Sequence, residues 1–160
     1  MNTTNGYINQ FKPLTYNAKS NKYIVSWGLK NIGGDNYKWN YEIFNTKPSI
    51  DTIKKTITSY INSQTRFCIE NKFRWNDMSI YLSIENQIDY KLLFDTTTLL
   101  EGSNLPEKVK FKINGESIYY DFETIDDMKD FIITMNNHIR TCLEAGNKAK
   151  EEINYDDYVL

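Results

Sequence analysis

The segment SIYLSIENQIDYKLLFD, Ser79 to Asp95, carries carboxylates at Glu85, Asp89 and Asp95. Glu85 and Asp89 stand one helical turn apart and share a face, the placement a divalent cation or a split general acid and base requires. No histidine or further converging acid lies at ligand spacing nearby, so these residues read as a solvated helix face. His138, the only histidine, precedes Cys142 by four residues. That spacing sets an imidazole beside a thiol, as base and nucleophile, on one turn of helix. Neither an orienting partner nor an oxyanion motif accompanies the pair, and His138 reads as structural or solvent-bonded. Cys68 and Cys142 lie far apart without CxxC spacing; each is expected as a buried thiol, which fits a reducing compartment. The sequence contains no nucleotide loop, zinc spacing, nucleophile elbow or kinase motif. No catalytic, metal or cofactor-binding residue is therefore assigned, and the chain is read as non-enzymatic and cofactor-free.

The elements that would position these groups are legible from periodicity. Residues 1–22 are polar and Asn-rich, broken by Gly6 and Pro13, with Tyr7, Ile8, Phe11, Leu14 and Tyr16 spaced too irregularly for one amphipathic element. They read as an N-terminal arm. YIVSWGLKNI alternates Tyr23, Val25, Trp27 and Leu29; YKWNYEIF alternates Tyr37, Trp39, Tyr41 and Ile43; between them GGDN predicts an antiparallel hairpin with an aromatic-rich face. That face would stack bases if exposed, but it lacks interleaved Arg or Lys and is expected to pack under helices. Ser49 caps a helix to about Asn71 whose stripe is Ile50, Ile53, Ile57 and Ile61. Extended character resumes in FRWNDMSIYL, with a bend at Asn76 and Asp77. Ser83 caps a second helix, 83–101, with Glu85 at its positive end and Ile84, Ile88, Leu92 and Leu99 as its inner face until Gly102 ends it.

EKVKFKINGESIYYDF is the strongest local signal. Asn114-Gly115 is a preferred type I′ loop, and pairing outward puts Val109, Phe111 and Ile113 on one face with Ile118 and Tyr120, and Lys110 with Tyr119 and Lys108 with Asp121 on the other. Thr124 with Asp127 opens a third helix, 124–145, buried through Ile125, Met128, Ile132, Met135, Ile139 and Cys142 and stopped at Gly146. The fold class is thus α+β, antiparallel hairpins forming a sheet packed against about three α-helices. The organisation reads as arm (1–22), one domain (23–146) and an acidic, tyrosine-bearing tail (147–160).

Composition narrows the partners. The chain has 160 residues, 19 basic and 21 acidic, interspersed, for a net charge of −2. Neither a nucleic-acid nor an anionic-membrane footprint appears, and only Arg66, Arg74 and Arg140 are arginine. No basic start with an apolar run and no stretch approaching ~20 apolar residues is present, so the protein is expected to be soluble and unexported by that route. Abundant Asn, Ile, Lys and Tyr suit an AT-rich bacterium or its phage.

In order and spacing, IYLSIENQIDYKLLFD, the following LP, KVKFKINGESIYYDFETIDDMKDFI and HIRTCLEAGNKAKEEINYDDY resemble a phage-associated domain family of uncharacterised function found in Bacteroides phages and prophages, over roughly Ser49 to Tyr158. Tyr81 stands where members often carry tryptophan before LS, and Gly146-Asn147 where they carry GW. The resemblance implies a small virion protein similar to those of crAss-like tailed phages, in a head–tail ring, tail or fibre attachment. It would be made in the host cytoplasm and contact other virion proteins and copies of itself. The alternatives are a tail-fibre assembly chaperone absent from the mature particle and, more remotely, a cofactor-free enzyme. The expected interface anchors are Tyr7, Phe11 and Leu14 in the arm and Tyr155, Tyr158 and Leu160 in the tail, because buried aromatics concentrate interface energy.

Overall fold

The computed structural model describes residues 2–113 and 115–159. Its α+β architecture comprises, among the described residues, β1 (Asn2–Gly6), β2 (Leu14–Asn17), β3 (Lys22–Gly33), β4 (Asn36–Phe44), α1 (Ile50–Asn71), β5 (Arg74–Trp75), β6 (Met78–Ser79), α2 (Ile84–Leu99), β7 (Glu107–Ile113), β8 (Glu116–Phe122) and α3 (Ile125–Glu151). The chain forms two compact units. One is assembled from the stretch ending at Asn62 and the stretch starting at Asn147; the other is Ser63–Gly146. This differs from an arm, one domain and a tail.

The first unit is a four-stranded antiparallel sheet in the order β1-β4-β3-β2. The supposed arm supplies both edge strands: β1 runs along β4 from Asn2↔Tyr41 to Gly6↔Tyr37, and β2 pairs with β3 through Leu14↔Val25. Two strands of five and four residues, separated by a 3-10 turn at Ile8–Gln10, are too short for alternation to register as a period. Leu14, Val25 and Trp27 form a core with Ile53, Ile57 and Ile61 of α1 and with Tyr158. The tail therefore belongs to this unit as well. Ser49 caps α1 as its position predicts, its Oγ accepting from the Thr52 N–H at 3.2 Å.

The β3–β4 hairpin forms, but not with one aromatic face. Gly28, at φ +67°, sits in a bulge between the pairs Trp27↔Asn40 and Lys30↔Lys38. A one-residue shift in register moves every side chain of one strand to the opposite side of the sheet. Val25 and Trp27 consequently lie beside Glu42 and Asn40, and Trp39 and Tyr41 face the other way. Trp39 is buried there with Phe11 edge-on at 5.8 Å. On the helix side Tyr60 packs edge-on against Trp27, and its hydroxyl donates to Asn40 Oδ1 at 2.9 Å.

The second unit is built round an aromatic core. Trp75 has ring centroids of Tyr120, Phe131, Phe122 and Phe111 at 5.0, 5.1, 5.6 and 6.2 Å, and its Nε1–H donates to Asp130 Oδ2 at 2.9 Å. Asn76 and Asp77 both take positive φ, 45° and 60°, and reverse the chain between β5 and β6 as a type I′ turn does. The β7–β8 hairpin has the predicted register, with Val109↔Tyr120, Lys110↔Tyr119, Lys108↔Asp121 and Phe111↔Ile118. Gly115 adopts φ +86°; Asn114 lies outside the described residues. Thr124 Oγ1 accepts from the Asp127 N–H at 3.1 Å and caps α3. The expected stop at Gly146 does not occur, because α3 continues to Glu151. Gly146 serves packing instead: a Cβ built there would collide with Thr65 Oγ1 and lie 3.2 Å from Thr65 Cβ.

Candidate functional site

The functional question centres on α2. Ser83 caps it as predicted, accepting from the Asn86 N–H at 3.2 Å. The face turned to the core, however, is not Ile84, Ile88, Leu92 and Leu99. Tyr90 and Thr97 are buried, Leu93 and Phe94 pack against the aromatic core, and the Tyr90 hydroxyl donates to the Lys110 carbonyl at 3.3 Å. Burial pushes the Tyr90 phenol up to about 12, so it remains a neutral donor. At 100° per residue these four positions lie opposite the predicted stripe. The helix is apolar on two sides, and the aromatic side wins the core because it buries more area and joins rings already clustered there.

The other side faces solvent: Ile84 is 55%, Ile88 60%, Leu92 64% and Leu99 83% exposed. Between this face and α3 runs an open groove of about 480 Å³, lined by Ile84, Ile88 and Leu92 from one helix and Met135 and Ile139 from the other, with Lys91 and Asp95 at its edge. Lys91 Nζ and Asp95 Oδ1 form an ion pair, both side chains about half exposed. The signal in the sequence was the run Tyr90, Leu93 and Phe94 interleaved with Ile88 and Leu92, since a helix apolar all round needs cover on both sides.

Glu85 lies in the first turn of α2, where its own backbone N–H and then the Ser83 hydroxyl hold its carboxyl below the usual range. Asp89 is exposed and Asp95 is held by Lys91. Among the described residues, no group of three or more His, Cys, Asp or Glu side chains is arranged to hold a metal ion. Cys68 and Cys142, expected as separate buried thiols, are paired as a disulfide with a Cα–Cα distance of 6.1 Å, inside the range such a bridge spans. Their 74-residue separation hid the pairing. It joins the last turn of α1 to α3. His138 Nε2 lies 3.1 Å from the Cys68 carbonyl and 3.2 Å from that of Ile69, so as Nε2–H it donates to carbonyls that end α1; Cys142 Sγ is 3.8 Å away. Its role here is to cap a helix terminus.

Of the expected interface anchors, Tyr7 is exposed, Phe11 is half-buried on Trp39, and Tyr155 is half-buried with Lys54 Nζ 5.3 Å above its ring. Leu14 and Tyr158 are core residues of the first unit, which corrects their assignment as surface anchors. The Tyr158 hydroxyl donates to the Ser26 carbonyl at 2.8 Å, and burial holds its phenol well above the ordinary range. Leu160 lies outside the described residues. Among those residues no helix is long and apolar enough to cross a membrane. Comparison with protein-family models, curated proteins and solved structures gives no match.

Proposed function

We propose that this chain is a non-enzymatic structural component of a tailed-phage virion that works through protein–protein contacts, with other virion proteins and with copies of itself. The observation that carries the contact reading is the aliphatic solvent face of α2, Ile84, Ile88, Leu92 and Leu99. Single exposed apolar side chains are ordinary on a protein surface. Four in register along one helix, beside an apolar groove, form a contiguous patch of the kind that marks a contact site. Assignment to a phage particle rests on the resemblance of Ser49 to Tyr158 to the uncharacterised Bacteroides phage family. The terminal segments are not needed as the interface in this reading, since β1, β2 and Tyr158 already have partners within the chain.

The test is quantitative mass spectrometry of purified particles from a phage encoding this chain. Peptides at a fixed copy number per particle are expected. A chain required for infectivity yet missing from particles would replace the structural subunit with the assembly chaperone.

A further inference from the structure

We infer that the solvent face of α2 pairs with the same face of a second copy of this chain, the two helices running antiparallel about a two-fold axis between Leu92 and Asp95. The inference rests on the reading of this face as a protein contact. Ile84, Ile88, Leu92, Asp95 and Leu99 advance in steps of four, four, three and four residues, the spacing of a seam between two helices. The seam is about 22 Å long at the rise of an α-helix. Its four aliphatic side chains are 55–83% exposed and together present on the order of a few hundred Å², the size of the largest apolar patch on an ordinary monomer, which is often functional. A stable interface takes about 800 Å² from each partner. The stripe supplies its apolar centre; Met135 is buried and adds little, so the rest falls to Ile139 and the polar residues around the groove.

Charge selects the occupant. Lys91 and Asp95 are the charged residues on this edge of the groove, one of each sign and one turn apart. The two already pair with each other and are half exposed, so an uncharged partner helix would strip water from an ion pair while adding no hydrogen bond to it, which is costly for ionised groups. A partner that offers an acid and a base one turn apart, in the reverse order, repays that loss by extending the pair into a four-charge network. A second copy laid antiparallel does this, bringing Lys91 of each chain to Asp95 of the other while Ile88 meets Leu99. A parallel copy would set lysine against lysine. A single polar residue in an otherwise apolar seam is a known device for fixing register. The closed two-fold arrangement also buries the patch on both copies at once.

Sedimentation velocity of the full chain over a concentration series tests this. The native sequence should pass from monomer to dimer, and Leu92→Glu should weaken dimerisation roughly tenfold or more. K91E leaves only acids on the edge and D95K only bases, so each alone should be monomeric and an equimolar mixture should recover the dimer. All three positions are exposed, so unchanged circular dichroism melting verifies folding. A native chain that stays monomeric, or a mixture no better than its components, overturns the inference. If the native chain is monomeric yet Leu92→Glu is lost from particles, the face docks a different protein and only the pairing of copies fails. A dimer that is absent from particles supports the pairing and removes the virion reading.

Discussion

Gly146→Ala sets two effects of similar size against each other. Gly146 lies inside α3 without a positive φ, so helix propensity alone predicts that alanine gains about 1 kcal/mol. Packing opposes it. The added methyl would overlap Thr65 Oγ1 and stand 3.2 and 3.3 Å from Thr65 Cβ and Cγ2. A long side chain would swing its far end away, but threonine branches at Cβ, and another rotamer leaves Cβ itself in close contact. The helices must separate, and overpacking of this kind costs about 1–3 kcal/mol. The expected net effect is a loss of about 1 kcal/mol, or roughly 2–4 °C in Tm for a chain of this length. In a Thr65→Ala background most of the collision is gone, and the same glycine change should become neutral or stabilising. A double-mutant cycle by urea denaturation measures this coupling directly. A higher Tm for Gly146→Ala alone, or no coupling to position 65, would refute the argument that Gly146 is a packing residue.

Three further outcomes follow from the same structure. Gly115→Val should destabilise by about 1 kcal/mol more than Lys110→Ala, because φ is +86° at Gly115 and a β-branched residue resists that region; equal thermal midpoints would contradict it. Deleting residues 1–22 removes both edge strands and Leu14, so it should abolish the cooperative unfolding of the first unit followed by tryptophan fluorescence, whereas an unchanged transition would return these residues to the status of an arm. Alkali should destabilise the fold: Tyr90, raised by burial to about 12, binds its proton more tightly folded than unfolded, so its contribution is complete below pH 10 and is lost between about 10 and 12. Tyr90→Phe should flatten that part of the profile, as read by denaturation midpoints against pH.

Most of the helices and hairpins were legible because their signals are local. Ser49, Ser83 and Thr124 cap helices where their positions predict, and the loop ending at Gly115 fixes a register that both faces of β7 and β8 satisfy. What escaped the sequence depends on relations between distant segments. A bulge at Gly28 reverses the faces of one strand, and a single glycine in an alternating run does not announce which way the register moves. Gly146 has the residue type of a helix stop but answers to Thr65, eighty-one positions earlier. On α2, either apolar side satisfies helical periodicity. The choice between Leu92 and Tyr90 falls to the rings of Phe111 and Phe131 already in the core. The stripe of Ile84, Ile88, Leu92 and Leu99 is therefore visible in the sequence, but that it faces solvent is not.

The composition of the first unit from both ends of the chain bears on how the protein is made. Tyr158 caps the pocket of Val25 and Trp27 and bonds to Ser26 across 132 residues. At a synthesis rate of ~5–20 residues per second, the sheet waits on the order of ten seconds for that side chain after Ser26 is polymerised. The contiguous stretch Ser63–Gly146 is synthesised in the meantime. The first unit is thus begun earlier but can close its core only after the whole of Ser63–Gly146 has been made; until Tyr158 joins, Trp27 is held by Tyr60 and the isoleucines of α1 alone.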